Sequence, residues 1–162
     1  MYNIDKTDIE IANLLVEDGR MSCAEIARRV VGISERSARY RLERLIQEGV
    51  IKISAVADPK AVGFSVIADI WLQVEADLIQ EVARKMTEYE CISYVAYSIG
   101  ETDVSVQVVA RDTAEVYRFL TEVIGKTPGV IKTTASIVPR VLKDVYQWRL
   151  PTEDCIPDEG EE

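Results

Sequence analysis

Four arginines, Arg36, Arg39, Arg41 and Arg44, fall within nine positions of the stretch "GISERSARYRLERLIQEGVI". A guanidinium group carries a permanent charge and a planar fork of donors. It matches phosphate oxygens and the O6/N7 edge of guanine better than any other side chain. Ser34, Ser37 and Tyr40 stand among these arginines and add hydroxyl groups. A second polar group lies far downstream in "GETD", Gly100, Glu101, Thr102 and Asp103, with Thr134 and Ser136 later still. Carboxylates, hydroxyls and turn amides of this kind can hold the ammonium and carboxylate of a small zwitterion.

The composition removes most other chemistry. The chain has no histidine, which excludes Ser-His-Asp and Cys-His nucleophilic arrangements and leaves no cluster with zinc-ligand spacing. Neither a metal nor a cofactor is expected. Cys23, Cys91 and Cys155 are odd in number and widely separated, which fits reduced thiols in a cytoplasmic protein better than a disulfide framework. No apolar run approaches the roughly 20 residues needed to span a bilayer, so no membrane partner is expected.

Charge is divided along the chain. Residues 1–60 carry ten Lys/Arg and ten Asp/Glu, whereas residues 61–162 carry nine against eighteen, which places the whole net charge of −9 in the second part. From Arg20 to Arg44 seven arginines face three glutamates, a local +4. Such a division suggests two modules with different partners.

The elements that must position the arginines follow from pattern. "DKTDIEIANLLVEDG" reads as a helix capped by Asp5, with Ile9, Ala12, Leu15 and Val16 at helical spacing and Gly19 as a stop. In "SCAEIARRV" Ser22 and Glu25 form a capping-box pair. A third helix starts at Ser34 and stops at Gly49. On a wheel, Ala38, Leu42 and Leu45 share its inner side. Arg36, Tyr40, Glu43 and Gln47 lie opposite, with Arg39 and Arg44 on the flanks. Two short helices joined by a glycine-containing turn, the second presenting such a face, form a helix-turn-helix. The plainer alternative is a solvated helix face with Glu35 and Glu43 as local ion partners. "VIKISAVADP" then reads as a strand leading away.

The second part reads β-α-β-β-α-β. "VIADIWLQVE", "CISYVAYSIG", "DVSVQVVAR" and "VIKTTASIV" are strands, the middle two separated only by Glu101 and Thr102. "DLIQEVARKMTEY" is a helix with Leu78, Val82 and Met86 inward, and "TAEVYRFLTEVIGK" is a helix capped by Thr113. This order is the ferredoxin-like topology, so the fold class is α+β. "GETD" also has the composition of a tight hairpin, a reading that needs no ligand. Trp71, Tyr94 and Tyr97 read as sheet and interface packing.

The residues "DGRMSCAEIARRV", "SERSARYRLERLIQEGVI", "DPKAVGF", "IGETDVSVQVVARD" and "TPGVIKTTASIV", in that order, resemble the Lrp/AsnC (feast/famine) family of transcriptional regulators. The departures are a turn, "RRVVGIS", one residue longer than usual, Tyr40 where arginine is frequent, and Glu35-Arg36 after the cap. The resemblance implies a winged helix-turn-helix domain at 1–52, a linker strand at 53–63, a RAM effector-binding and oligomerisation domain at 64–150, and an acidic tail at 151–162. It implies a sequence-specific DNA-binding regulator, not an enzyme, that responds to an amino acid or related metabolite. Its partners would be double-stranded DNA and copies of itself, as a homodimer or higher homo-oligomer. Ser34, Arg36, Ser37, Arg39, Tyr40, Arg41 and Arg44 would face DNA. Gly100, Glu101, Thr102, Asp103, Thr134 and Ser136 would face the effector. Siroheme decarboxylases are similar in architecture, but their expected use of histidine has no counterpart here. A ligand-binding or assembly module without DNA binding is the remaining alternative.

Overall fold

A computed structural model describes residues 3–152. Of these, residues up to Val56 together with those from Leu142 form one compact unit, and Ala57–Val141 form another. In the first unit, α1 (Lys6–Glu17), α2 (Cys23–Arg29) and α3 (Glu35–Gln47) follow one another. Asp5 caps α1 by accepting from the Asp8 amide at 2.8 Å, while the Asp8 carboxylate accepts from the Asp5 amide at 3.3 Å. These reciprocal bonds satisfy two amides that a helix start leaves without intrahelical partners. Ile11, Leu15, Ile26, Val30, Ala38 and Leu45 close into one core between the three helices.

The expected linker strand is absent: residues 51–58 have no strand conformation, and only a 3-10 turn, Lys60–Val62, follows. Alternating β-branched residues give a segment the propensity for a strand, but a strand forms only when a neighbour accepts its hydrogen bonds. The chain offers residues 51–58 no such neighbour among the described residues.

In the second unit β1 (Val66–Val74), α4 (Ile79–Met86), β2 (Ile92–Tyr97), β3 (Val104–Ala110), α5 (Thr113–Arg118) and β4 (Val130–Val138) follow in order. The four strands make one antiparallel sheet in the order β2-β3-β1-β4, the ferredoxin-like arrangement. Alternation along β1 and β3 sends Ala68, Ile70, Leu72, Val74, Val104, Val106 and Val108 into the core. There Val82, Met86 and Ile124 meet them from the helical side.

Two local expectations are revised. Asp112, not Thr113, caps α5, accepting from the Glu115 amide at 2.7 Å, and the helix passes into a π-helical turn at Phe119–Val123. The β2–β3 connection spans residues 98–103 and not two residues, because the Ser98 amide already donates to the Asp103 carbonyl at 2.8 Å and closes the strands there. By contact, residues 142–150 group with the helical unit. β4 has no more of β1 to pair with, since Val138 already lies opposite Ile67 near the start of that strand. The departing chain docks instead on α1: Leu150 donates its amide to Asn13 Oδ1 at 2.8 Å and accepts from Asn13 Nδ2 at 3.0 Å. Arg149 reaches Glu17 at 2.7 Å. Most of the acidic tail, 153–162, lies outside the described residues.

Candidate nucleic-acid interface and effector region

The turn before α3 is built on Gly32, whose φ of 83° lies in the left-handed region that a side chain disfavours. Ser34 then caps α3, its Oγ accepting from the Ser37 amide at 3.1 Å. Its hydroxyl is thereby committed to the helix start. Ser22 caps α2 in the same way at 3.2 Å, but the reciprocal half of the expected box is not made. The Glu25 carboxylate turns instead to Arg28 and, at 3.4 Å, to Arg29, where two cations outweigh one amide.

Ala38 and Leu45 are fully buried two turns apart on α3, with Leu42 half-buried between them. The opposite face is open. Tyr40 is 63% exposed, and Arg36 is exposed with no ion pair among the described residues. Arg44 is exposed on one flank and Ser37 is half-buried. Arg39, also exposed, donates to Glu35 at 3.0 Å across one helical turn. Such pairs contribute only about 0.3–0.5 kcal/mol, so that guanidinium can exchange its carboxylate for a phosphate at little cost.

Arg41 differs from its neighbours. Its Nη1 donates to Asp5 Oδ2 at 2.8 Å and to Asp8 Oδ1 at 2.7 Å, so it points to the start of α1 and away from the open face. The Asp8 side chain is 1% exposed and that of Arg41 27% exposed. The hydrogen bond from Arg41, then that from the Asp8 amide, holds the Asp5 carboxyl below the ordinary carboxylate range. In return Asp5, then Asp8, raises the Arg41 guanidinium above its already high value. Placing Arg41 among the outward arginines is therefore corrected. On a helix with about 100° per residue it lies about 60° from Ala38, beside the buried stripe. That angle was available in the sequence; the partners, 36 and 33 residues away, were not.

The effector candidates divide into two places. Asp103 is a structural staple: its Oδ2 accepts from the Val74 amide at 2.8 Å and its amide donates to the Leu72 carbonyl at 2.8 Å. The Glu101 carbonyl accepts from Gln73 Nε2 at 2.8 Å while the residue itself stays exposed, and Thr102 is half-buried beside it. Gly100 occupies the turn with φ 146°. These bonds fasten the 98–103 connection to the end of β1. Thr134 and Ser136 lie on β4, opposite Trp71 and Asp69, on the sheet face away from the helices. From β4 across β1 to β3 is about 10 Å at the usual strand spacing, so one chain does not bring Thr134 and Ser136 onto the "GETD" turn. The same face carries a polar row that sequence reasoning missed. Gln107 Nε2 donates to Asp69 Oδ1 at 2.9 Å, and Ser93 Oγ donates to Gln107 Oε1 at 3.1 Å. Only the strand register, which places Asp69 opposite Gln107, reveals it.

Comparison with known proteins accords with both units. Residues 4–52 match the model described as winged helix-turn-helix DNA-binding, and residues 67–148 match the Lrp/AsnC ligand binding domain. An HTH-type transcriptional regulator of Pyrococcus furiosus is 33% identical over 144 residues, covering 88% of this chain and 97% of that one. The HTH-type transcriptional regulator FL11 of Pyrococcus abyssi is 34% identical over 146 residues, covering 90% and 95%. Among solved structures, a transcriptional regulator from Neisseria meningitidis in complex with L-Met superposes with a TM-score of 0.83 at 26% identity, covering 92% of this chain and 97% of that one. E. coli AsnC shares the fold with a TM-score of 0.80 at 22% identity, covering 90% and 99%.

Proposed function

The chain belongs to the Lrp/AsnC family of DNA-binding transcriptional regulators, and from that premise we propose how this member works. It acts in the cytoplasm as a homodimer or higher homo-oligomer, placing two copies of α3 in major grooves about one helical turn of DNA apart. Arg36 and Tyr40 meet base edges or phosphates from the open face. Arg39, after releasing Glu35, and Arg44 engage the backbone, while Ser34 and Ser37 serve the helix start that enters the groove. The observation that carries this reading is the division of α3 into a buried Ala38–Leu45 stripe and an opposite face bearing the exposed Tyr40 and Arg36, which has no ion pair among the described residues.

The effector is an amino acid or a closely related metabolite. Support comes from the Neisseria meningitidis regulator, which was solved with L-Met, and from the hydrogen-bonding groups of the second unit. Because Asp103 is occupied in fastening its own turn, Glu101 is the better acceptor for the effector ammonium, with amides around Gly100 for its carboxylate. Thr134 and Ser136 join such a site only if a second copy supplies them, which the open sheet face of the protomer permits. No helix among the described residues is long and apolar enough to cross a membrane. The decarboxylase alternative gains nothing here, since the chain has no histidine and its relatives are regulators.

Selection of a consensus from random duplex DNA, repeated with each of the twenty amino acids, tests both parts. Enrichment of a palindromic site with half-sites about 10 base pairs apart, shifted by one amino acid or a few, is the expected result. No enrichment under any condition refutes the reading.

A further inference from the structure

We propose that Arg41 is a positioning residue for DNA reading: pinned to Asp5 and Asp8, it sets the axial and rotational placement of α3 and makes no DNA contact itself. The inference rests on α3 being the recognition helix.

The two carboxylates that receive Arg41 are themselves immobilised. Asp5 and Asp8 form the reciprocal cap of α1, and Asp8 is buried. One guanidinium nitrogen reaching both at 2.8 and 2.7 Å therefore joins the start of α1 to the middle of α3 through short, directional, charge-assisted bonds. Ala38 and Leu45 add apolar attachments of α3 against Ile11, Leu15, Ile26 and Val30. Apolar contact is non-directional and resists small slides and rotations weakly. Sliding α3 by one residue's rise, about 1.5 Å, would force Arg41 to change its side-chain conformation or to give up the geometry that lets one nitrogen reach both carboxylates. Base-edge hydrogen bonds on the open face tolerate no more displacement than that.

Arg36 lies about 140° around the helix and about 7.5 Å along it from Arg41. An Arg41 committed to α1 therefore points to a different side from the base-reading residues. Its effect on DNA must pass through the placement of α3. A misplaced helix still presents its charge to phosphates, so sequence discrimination falls while the electrostatic component of binding stays.

The test uses the full chain and a site selected from random duplexes, comparing affinity for that site and for a scrambled duplex between 50 and 200 mM salt, with thermal melting in parallel. Asp5→Asn keeps an N-cap acceptor and removes one anionic partner. Arg41→Lys keeps the charge and removes the fork, and Arg41→Met removes both. The expected result is a specific-to-nonspecific ratio lowered about tenfold in Asp5→Asn and Arg41→Lys and further in Arg41→Met, with the salt slope unchanged. A slope shallower by about 2 per dimer in Arg41→Met would assign Arg41 to phosphates and overturn the proposal. So would an unchanged ratio in Asp5→Asn and Arg41→Lys, even with lowered melting temperatures, because the bonds would then be merely structural. Should Arg41→Met fail to fold, the two milder variants decide. A native chain that selects no site at all removes the recognition-helix premise, and this inference with it; a native chain that discriminates while Asp5→Asn discriminates equally well removes this inference alone.

Discussion

Replacing Glu35 by glutamine should tighten DNA binding, although it removes an ion pair that the free protein possesses. Arg39 donates to Glu35 at 3.0 Å, and both side chains are more than half exposed. An exposed pair one turn apart contributes about 0.3–0.5 kcal/mol. If Arg39 must leave Glu35 to meet a phosphate, each subunit gives up that amount on binding, about 0.8 kcal/mol for two. Removing the pair in advance returns this difference, about a fourfold gain in affinity. If the first turn of α3 also approaches the phosphates as proposed, a carboxylate there is repelled, so fourfold is a lower bound. Glutamine keeps the helix propensity of glutamate, and the variant should lose less than about 1 kcal/mol of stability, mainly by giving up a negative charge at a helix N-terminus. Fluorescence anisotropy with a labelled operator at 50 and 200 mM salt measures the gain, which should shrink at the higher salt as screening weakens both contributions. Unchanged or weaker binding at 50 mM, with normal melting, would show that Arg39 keeps Glu35 in the complex and is no phosphate ligand.

Arg36→Ala should leave the melting temperature unchanged within error, since the exposed side chain has no ion-pair partner among the described residues. It should still cost about 1–3 kcal/mol of operator affinity if the residue reads a base, measured by the same anisotropy titration. Acid should erase the contribution of Asp5 to stability. Its folded-state pKa is lowered by Arg41, so the stabilisation is complete above the ordinary carboxylate range and disappears as pH falls through the lower folded value. Urea unfolding of the native chain and of Asp5→Asn should therefore differ at pH 7 and converge in acid, where a constant difference would contradict the assignment. Gly129→Ala should destabilise the second unit by about 1–3 kcal/mol. At φ 86° an added Cβ would stand 2.7 Å from Leu78 Cδ1 and 2.9 Å from Leu78 Cβ. Denaturant melts of Gly129→Ala alone and combined with Leu78→Ala, which removes Cδ1 but keeps Cβ, separate the Cδ1 contact from the remaining Cβ contact and backbone strain.

What the sequence discloses depends on whether the cause is local. The Ala38–Leu42–Leu45 stripe, the Ser34 and Ser22 caps and the alternation along β1 and β3 are decided by neighbours a few residues away, and each reappears in the structure. The linker strand was not local: residues 51–58 carry the right residue types, but strand formation needs a second chain segment to pair with. Arg41 stands between the two cases. Its place beside the buried stripe is legible on a wheel, while its bonds to Asp5 and Asp8 depend on how α1 packs. The likeness of four arginines in one run concealed that one of them faces inward. Asp103 misled for a similar reason, since an acid in a glycine-containing turn suits a ligand and a staple equally well. Only the Val74 amide at 2.8 Å assigns it to the second.

An acidic protein with a net charge of −9 therefore meets DNA with fewer cations than its arginine count suggests. Of the seven arginines from Arg20 to Arg44, at least five (Arg20, Arg28, Arg29, Arg39 and Arg41) are in ion pairs with the protein's own carboxylates among the described residues. The pairs differ in how easily they exchange. That of Arg39 is exposed on both sides, whereas one of the two made by Arg41 includes a carboxylate that is 1% exposed. Breaking the second would leave a buried charge short of its partner, a cost of several kcal/mol that one phosphate contact does not offset. If Arg36, Arg39 and Arg44 each neutralise one phosphate, a dimer engages about six, and log K against log salt should fall with a slope near −5.4. Including Arg41 would raise the number to about eight and the slope to about −7.2. A titration that resolves one unit of slope thus reads out directly whether the inward arginine stays inward when the duplex arrives. A native slope near −7, with Arg41→Met returning it to about −5.4, would mean that the bonds to Asp5 and Asp8 give way on binding and that burial does not rank these arginines.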